Sequence, residues 1–265
     1  MTRPLITLFS DFGTGSGYPA QMKGVILGIC PDARLVDLSH EVPAFQVLVG
    51  QAMLREVVGA FPPGTIHVAV VDPDVGSARR PLLVVGGERA PGHLFVGPDN
   101  GLLWPFMRGG RVFELSNPAL RRAEVSDTFH GRDIFAPAAA HLACGVPPEQ
   151  FGPEVADPVK LQPPRVRHEG GAVVGEILHV DHFGNLISNL TVEDLPSVDR
   201  AKLKVSVAGR TLTGIQTAYA NVGPGEPIAL FGSCGLLEIA VREGSAAGAF
   251  GADDPRGMPV VVEPV

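Results

Sequence analysis

Apolar and polar positions alternate in two different regimes along this chain. In the first part, short apolar runs of strand length trade places with longer stretches in helical register. Residues 5–9 read as a strand, closed by Ser10, Asp11, Phe12 and Gly13. Met22, Val25, Ile26 and Ile29 recur at helical spacing through residues 18–29, and Pro31 stops that helix. A second strand is predicted over 34–38 and a second helix over 47–61, where Leu48, Met53, Leu54, Val57 and Val58 form a broad apolar stripe. The run 65–71 predicts a buried strand, 82–85 and 93–96 two more, and 134–144 a short alanine-rich helix. Strands alternating with helices imply an α/β domain with a largely parallel sheet flanked by helices.

The pattern changes across residues 158–170, a proline-rich, charge-mixed stretch that reads as a linker. Short β patterns follow at 173–180, 186–190, 203–207, 228–231, 237–241 and 260–262, separated by turn residues and without long helices. That spacing suits a smaller, mainly antiparallel β domain. The expectation is therefore two domains, over 1–160 and 170–265.

Composition narrows the classes. The 265 residues are 45% hydrophobic and 18% charged, enough for a substantial core. A net charge of −7, with no basic cluster interleaved with aromatics, argues against a nucleic-acid partner. No run approaches the ~18 apolar residues a membrane span requires, and the N-terminus lacks the apolar core of a signal peptide. The three cysteines, Cys30, Cys144 and Cys234, are far apart and form no CxxC pair. They suggest neither a disulfide framework nor structural zinc, and a cytoplasmic location is expected.

Candidate chemistry concentrates where apolar runs end. Thr65 to Val71 passes abruptly into Asp72, Pro73, Asp74 and then Arg79-Arg80, a polar loop at the carboxyl end of a strand, where open α/β sheets place ligands. Asp127-Thr128-Phe129-His130-Gly131-Arg132-Asp133 is a second polar island. An acid, a guanidinium and an imidazole can together orient a small nucleophile, although an Asp-Pro turn, a surface ion pair and a loop histidine would look the same. Asp72, Asp74, His130 and Asp133 could also ligate a cation, but no histidine-pair motif supports this and Arg79 would compete. The glycine-rich turn Asp11 to Gly17 matches a dinucleotide fingerprint only loosely. It also fits the turn of S-adenosylmethionine (SAM) methyltransferases, and a plain β-to-α turn remains open. Asp181-His182-Phe183-Gly184-Asn185 packs an acid and an amide around an aromatic ring, and Gly232-Ser233-Cys234-Gly235 is a turn whose backbone could approach a ligand.

Taken in order, these segments resemble one family over essentially the whole chain, the SAM hydroxide adenosyltransferases, relatives of enzymes that fluorinate or chlorinate SAM. The resemblance is carried by Ser10-Asp11-Phe12-Gly13, Met22-Lys23-Gly24, Val71-Asp72-Pro73 through Arg79, Gly97-Pro98-Asp99-Asn100-Gly101, Thr128 to Asp133, and Asp181 to Asn185. It implies hydrolysis of SAM to adenosine and methionine by water attacking the ribose C5′, without metal or cofactor. It places Asp72, Arg79 and His130 around the water and Asp11 on the ribose hydroxyls. Phe45, Phe129 and Gly131 would lie about ribose and sulfonium, while Asp181, Phe183, Asn185 and Ser233 hold the rest of SAM. It further implies a homotrimer with sites at subunit interfaces. Asp74 stands where the family usually has glycine, and Cys234 and Arg242-Glu243-Gly244 also depart from it. A SAM-dependent methyltransferase and a non-catalytic SAM or adenosine binder are the alternative readings.

Overall fold

The computed structural model describes residues 3–251 and 254–265, and its chain divides into two compact units, Met1–Gln162 and Pro163–Val265. In the first unit β1 (Leu5–Ser10), α1 (Tyr18–Ile29), β2 (Arg34–Ser39), α2 (Val47–Val58) and β3 (Ile66–Val70) follow one another. Next come β4 (Pro81–Val85), β5 (Leu94–Pro98), β6 (Arg111–Glu114) and α3 (Ala136–Ala143). The sheet order is β2-β1-β3-β5-β4-β6. β1 pairs parallel with β2 and β3, and β3 with β5, whereas β4 runs antiparallel to both β5 and β6. The sheet is thus mixed, with a parallel half beside an antiparallel half.

Strand alternation assigns the faces. Ile6, Leu8, Val68, Val70 and Val96 join a core with Met22 and Ile26 of α1 and the alanines of α3. Phe9, Ala69, Val71, Leu82, Val84 and Phe95 face the other way, onto Leu54 and Val58 of α2. Period-2 strands buried on both faces read as near-continuous apolar runs, which is why 65–71 lacks polar alternation. α1 and α2 lie on opposite faces, and the chain moves from β1 to β2 on one side and then to β3 on the other. The switch point of the sheet therefore falls between the carboxyl ends of β1 and β3.

Two differences from the expected elements have local causes. α2 stops at Val58 instead of running to residue 61, with Gly59 at its cap. The helical run expected from residue 134 begins earlier, as a π turn over Gly131–Phe135. Pro137 lacks an N–H, so the Asp133 carbonyl has no helical donor and accepts from Arg122 N at 3.0 Å instead. Ala136 N–H reaches back to Gly131 O, the i−5 bond that defines the widened turn.

The second unit is one antiparallel sheet. Its strands are β7 (Arg167–Glu169), β8 (Ala172–Val180), β9 (Leu186–Thr191), β10 (Leu203–Val207), β11 (Arg210–Thr213), β12 (Pro227–Phe231), β13 (Leu236–Val241) and β14 (Pro259–Pro264), with a short α4 (Ala246–Ala249). The order is β11-β10-β14-β8-β9-β13-β12, with β7 added on β8. Gln216 N–H, just after edge strand β11, donates to Ala229 O on edge strand β12 at 2.8 Å, so the sheet nearly closes into a barrel. Its core includes Ile177, Leu186, Leu203, Val205, Leu237, Ile239 and Val260. β6, β7 and β11 are additions to the expected strands: Arg210-Thr-Leu-Thr has a single apolar residue and pairs only because the Ala208-Gly209 turn folds it back on β10. The stretch read as a linker is held at both ends. Arg80 and Asp99 bind Asp157 and Val159 N, and Asn189 Nδ2 donates to Pro164 O. No helix among the described residues is long and apolar enough to cross a membrane.

A buried polar ladder crosses the α2 face of the first sheet. Thr7 Oγ1 lies 2.7 Å from His67 Nδ1, and His67 Nε2 lies 3.0 Å from His93 Nδ1, with Phe95 stacked on His67. Burial pushes the His67 pKa down to about 3, and His93 is lowered for the same reason. Below the ordinary imidazole value of about 6.5 the unfolded chain takes protons that the folded chain refuses, so stability present above that pH is lost as pH falls towards 3. Unfolding free energies from urea titrations, and with them the midpoints, should drop over this range, the free energy by up to about 1.4 kcal/mol per pH unit for each such group. His67→Gln should flatten the profile, and a wild-type midpoint constant from pH 7 to 4 would contradict this account.

Candidate active site

The carboxyl ends of β1 and β3, on either side of the switch point, carry Asp11 and Asp72. Asp72 follows β3 and opens a loop that returns at Arg79. The Arg79 fork closes on the carboxylate, Nε donating to Oδ1 at 2.9 Å and Nη2 to Oδ2. Both side chains are almost fully buried, at 7% and 3% exposure, so this is a desolvated bidentate pair rather than a surface ion pair. Nη2 also lies 2.8 Å from His130 Nδ1. Guanidinium carries only donors, so Nδ1 must accept, and His130 is held as the neutral tautomer with its proton on Nε2. Burial first, and Arg79 second, lower the His130 pKa, which preserves that neutral form. Arg79 Nη1 is buried and has no hydrogen-bond partner among the described residues. Phe135 lies beneath the guanidinium, 5.5 Å from its carbon.

Two features bring His130 to this loop. The π turn starts immediately after it, and its acid Asp133, fully buried, is held by Arg132 (2.7 and 2.9 Å), Arg122 (3.1 Å) and Ser126 N (3.0 Å). Asp72 and Asp133 thus each face guanidinium groups, and among the described residues no acid and histidine cluster fits a metal ion. Gly76 then locks the loops together. It has φ +81°, and a Cβ there would sit 2.4 Å from the Asp127 carbonyl oxygen, so only glycine allows the approach.

Asp11 accepts from Phe45 N through Oδ2 at 2.9 Å. Phe45 is 70% exposed and sits at φ +65°, a strained backbone for a bulky residue of the sort that collects at functional sites. Phe129 is buried against Phe12 and Tyr18, with ring centroids 5.7 and 5.0 Å away, which ties the Asp11 loop to the His130 loop. Gly131 serves that cluster: a Cβ would press on Phe129, Met22 and Phe12 at 3.1–3.3 Å. The glycine-rich turn is stitched to the next loop, since Gly13 N donates to His40 O and Thr14 N to Glu41. Two backbone N–H groups of this turn, those of Gly13 and Thr14, are thereby already bonded. Gly97 to Gly101 proves to be scaffold, with buried Asp99 holding Arg80 and Val159 N, and Asn100 Nδ2 on Val71 O.

In the second unit Asp181 folds its own turn. It accepts from Phe183 N, Asn185 N and Asn185 Nδ2, each at 2.9 Å, and so presents Phe183 and Asn185. These two join Tyr219, Val241, Arg242 and Glu243 around a cavity of about 640 Å³. Ser233 is exposed in its turn and does not line that cavity. Tyr219 and the buried Glu238, which accepts the Tyr219 hydroxyl, were not foreseen. A lone tyrosine in a polar stretch and an acid inside an apolar strand were the available signals. Burial raises the Glu238 carboxyl above its ordinary range.

Comparison with known proteins follows this division. The SAM hydroxide adenosyltransferase N-terminal domain matches residues 6–152 and the corresponding C-terminal domain residues 175–256. An (R)-S-adenosyl-L-methionine hydrolase of Thermus thermophilus is 40% identical, covering 97% of this chain and 98% of its own. One of Salinispora tropica is 39% identical over 94% of each. A fluorinase of an Actinoplanes species is more distant, 30% identical over 89% of this chain and 90% of its own. A crystal structure of an uncharacterized conserved protein from Thermotoga maritima superposes with a TM-score of 0.88 at 32% identity, covering 97% and 99% of the two chains.

The Gly76 lock is directly testable. Gly76→Ala forces alanine to a positive φ and into the Asp127 carbonyl, and should destabilise the first unit by about 1–3 kcal/mol in urea unfolding. Gly15→Ala, where a Cβ meets nothing within 4 Å, should cost less than about 0.5 kcal/mol. Equal effects of the two substitutions would remove the lock from this account.

Proposed function

The chain belongs to the SAM hydroxide adenosyltransferase family, and from that premise we propose that it hydrolyses SAM to adenosine and L-methionine by attack of water at the ribose C5′. The observation that carries the mechanism is the buried Arg79 Nη1 without a partner, beside an Asp72–Arg79–His130 cluster whose tautomer is fixed. Buried donors left unpaired cost roughly 1–3 kcal/mol, which an oxygen nucleophile would offset. In this reading the water accepts from Arg79 Nη1 and His130 Nε2–H and hands its proton towards Asp72 as oxygen approaches C5′. His130 acts as a neutral donor, not as the base. The C5′–S bond breaks with its electron pair going to sulfur, so methionine departs as a neutral thioether and one proton is released. A sulfonium leaving group needs neither a general acid nor a Lewis acid, and no cofactor or metal enters the step. Alignment in a desolvated site can contribute about 7–11 kcal/mol.

Asp11, poised by Phe45 N, would take the ribose hydroxyls, with Phe45 and Phe129 about the sugar and sulfonium and Gly131 allowing Phe129 its position. Phe183 and Asn185, presented by the Asp181 turn, would hold a further part of SAM, and Ser233 would reach it from its exposed turn. We place these second-unit residues on the SAM of a neighbouring chain, in a homotrimer, as the family resemblance implies. The cysteine usage suits a cytoplasmic enzyme.

Labelling, variant kinetics and subunit mixing test this reading. In H₂¹⁸O the label should enter the adenosine 5′-hydroxyl, with turnover indifferent to chelator. Asp72→Ala, Arg79→Ala and His130→Ala should each lower kcat by roughly a hundredfold or more. S-adenosylhomocysteine as product, or unlabelled adenosine, would overturn the mechanism. For the assembly, inactive Asp72→Ala and Asn185→Ala subunits are mixed under exchanging conditions. Recovered activity is expected, and an inert mixture with proven exchange would put each site within one chain.

A further inference from the structure

A continuous polar relay lies behind the Asp11 loop. Lys23 Nζ of α1 binds Asp37 Oδ2 at 2.5 Å, Asp37 Oδ1 lies 3.2 Å from His40 Nε2, and His40 Nδ1 lies 2.7 Å from Ser10 Oγ. Phe12 N donates to the same Ser10 Oγ at 3.3 Å. The directions follow from the chemistry. The carboxylate can only accept, so His40 Nε2 carries a proton; in that neutral tautomer Nδ1 accepts from the Ser10 hydroxyl, and the serine oxygen accepts from Phe12 N. The two buried members, Ser10 and His40, are thereby satisfied, while Lys23 and Asp37 form the half-exposed end of the relay.

The order Ser10–His40–Asp37 looks like that of a serine nucleophile and its base, but its setting excludes that role. Ser10 is fully buried and His40 only 3% exposed, and the serine oxygen is engaged on both sides. What the relay touches is different. Ser10 and Phe12 flank Asp11, while the His40 carbonyl accepts from Gly13 N at 2.7 Å and Val42 N donates to Ser10 O at 3.3 Å. The parallel pairing of β1 and β2 brings their two outgoing loops side by side, and His40 joins them by its ring and its backbone together. Asp11 accepts from Phe45 N across that same junction, at the strained backbone described above.

We propose that His40 is a positioning residue for ribose recognition, acting through Ser10 to fix the Asp11–Phe45 contact. The proposal rests on the reading of Asp11 given under the proposed function. His40 touches no ligand in this account. It removes the freedom of the 10–13 and 40–46 loops to slide past one another, so that Asp11 meets the sugar in one orientation. Lys23 extends the restraint to α1.

Adenosine, which carries the ribose without the reacting centre, is the probe for calorimetric titration, beside SAM kinetics. Ser10→Ala removes the hydroxyl link, and His40→Gln keeps a donor towards Asp37 but loses the acceptor facing Ser10. Each should raise the adenosine Kd and the SAM KM by about tenfold, the effect of one lost buried hydrogen bond, with kcat within about threefold. His40→Asn offers an amide oxygen near the Nδ1 position and should restore both constants to within about threefold of wild type. A merely structural histidine would not separate Gln from Asn in this way. Should His40→Gln fail to fold, Ser10→Ala, which leaves the ring in place, decides alone. Unchanged adenosine affinity in Ser10→Ala, or a fall in kcat at constant KM, overturns the proposal while leaving SAM hydrolysis standing. A wild-type chain that binds no adenosine and turns over no SAM overturns the underlying reading and this proposal with it.

Discussion

A buried guanidinium has donors on every side and no acceptor, and the candidate active site is organised around that constraint at Arg79. Its environment must supply acceptors or leave N–H groups stranded. Asp72 answers two of them and neutralises the charge, and His130 answers a third by surrendering Nδ1. Those bonds dictate the histidine tautomer and the direction of its remaining proton. They also hold together two loops that are more than fifty residues apart in sequence. Breaking the pair by removing Asp72 would leave a buried cation uncompensated, a far larger disturbance than losing a surface salt bridge.

The scaffold makes this possible by geometry that precedes any chemistry. β1 and β3 are neighbours whose chain connections depart in opposite directions, so the loops after them diverge and leave a crevice. Asp11 and Asp72 are the residues that follow these strands. The third contributor comes from elsewhere in the chain and needs a different device, a widened helical turn caused by Pro137 and anchored by the buried Asp133. Asp133 resembles a catalytic acid in sequence, yet its oxygens are taken by Arg132, Arg122 and Ser126, which makes it the mounting for His130.

The two units manage polar groups differently. In the first, the charged site is buried and paired, with aromatic rings joining its loops. In the second, Asp181 is consumed by its own turn and the cavity wall is aromatic and aliphatic, with Arg242 and Glu243 at its side. Beneath the wall, the Tyr219 hydroxyl bonds the buried Glu238, whose raised carboxyl pKa reflects a site with little solvent. The first unit thus offers a charged, paired cluster and the second a largely apolar cavity.

Much of this was written locally in the sequence. The α1 limits, the course of the main strands and the two-unit division follow from periodicity and turn residues. The two polar islands that hold Asp72, Arg79 and His130 stand out where apolar runs end, whereas the choice of those three residues came from the family resemblance. These signals are legible because a strand or helix must bury one face, and that requirement acts on neighbouring residues. Other features were set only by tertiary structure. Strand β11 is too polar to announce itself and exists because β10 lies beside it. The antiparallel half of the first sheet lies in the pairing of β4 with β5 and β6, which the apolar run of β4 does not announce. The polar roles were least legible of all, since Asp99, Asp133, Asp181, His40 and Glu238 have the same composition as site residues. Whether a carboxylate or imidazole serves a ligand or the fold is decided by which donors face it after folding, and those donors come from distant parts of the chain.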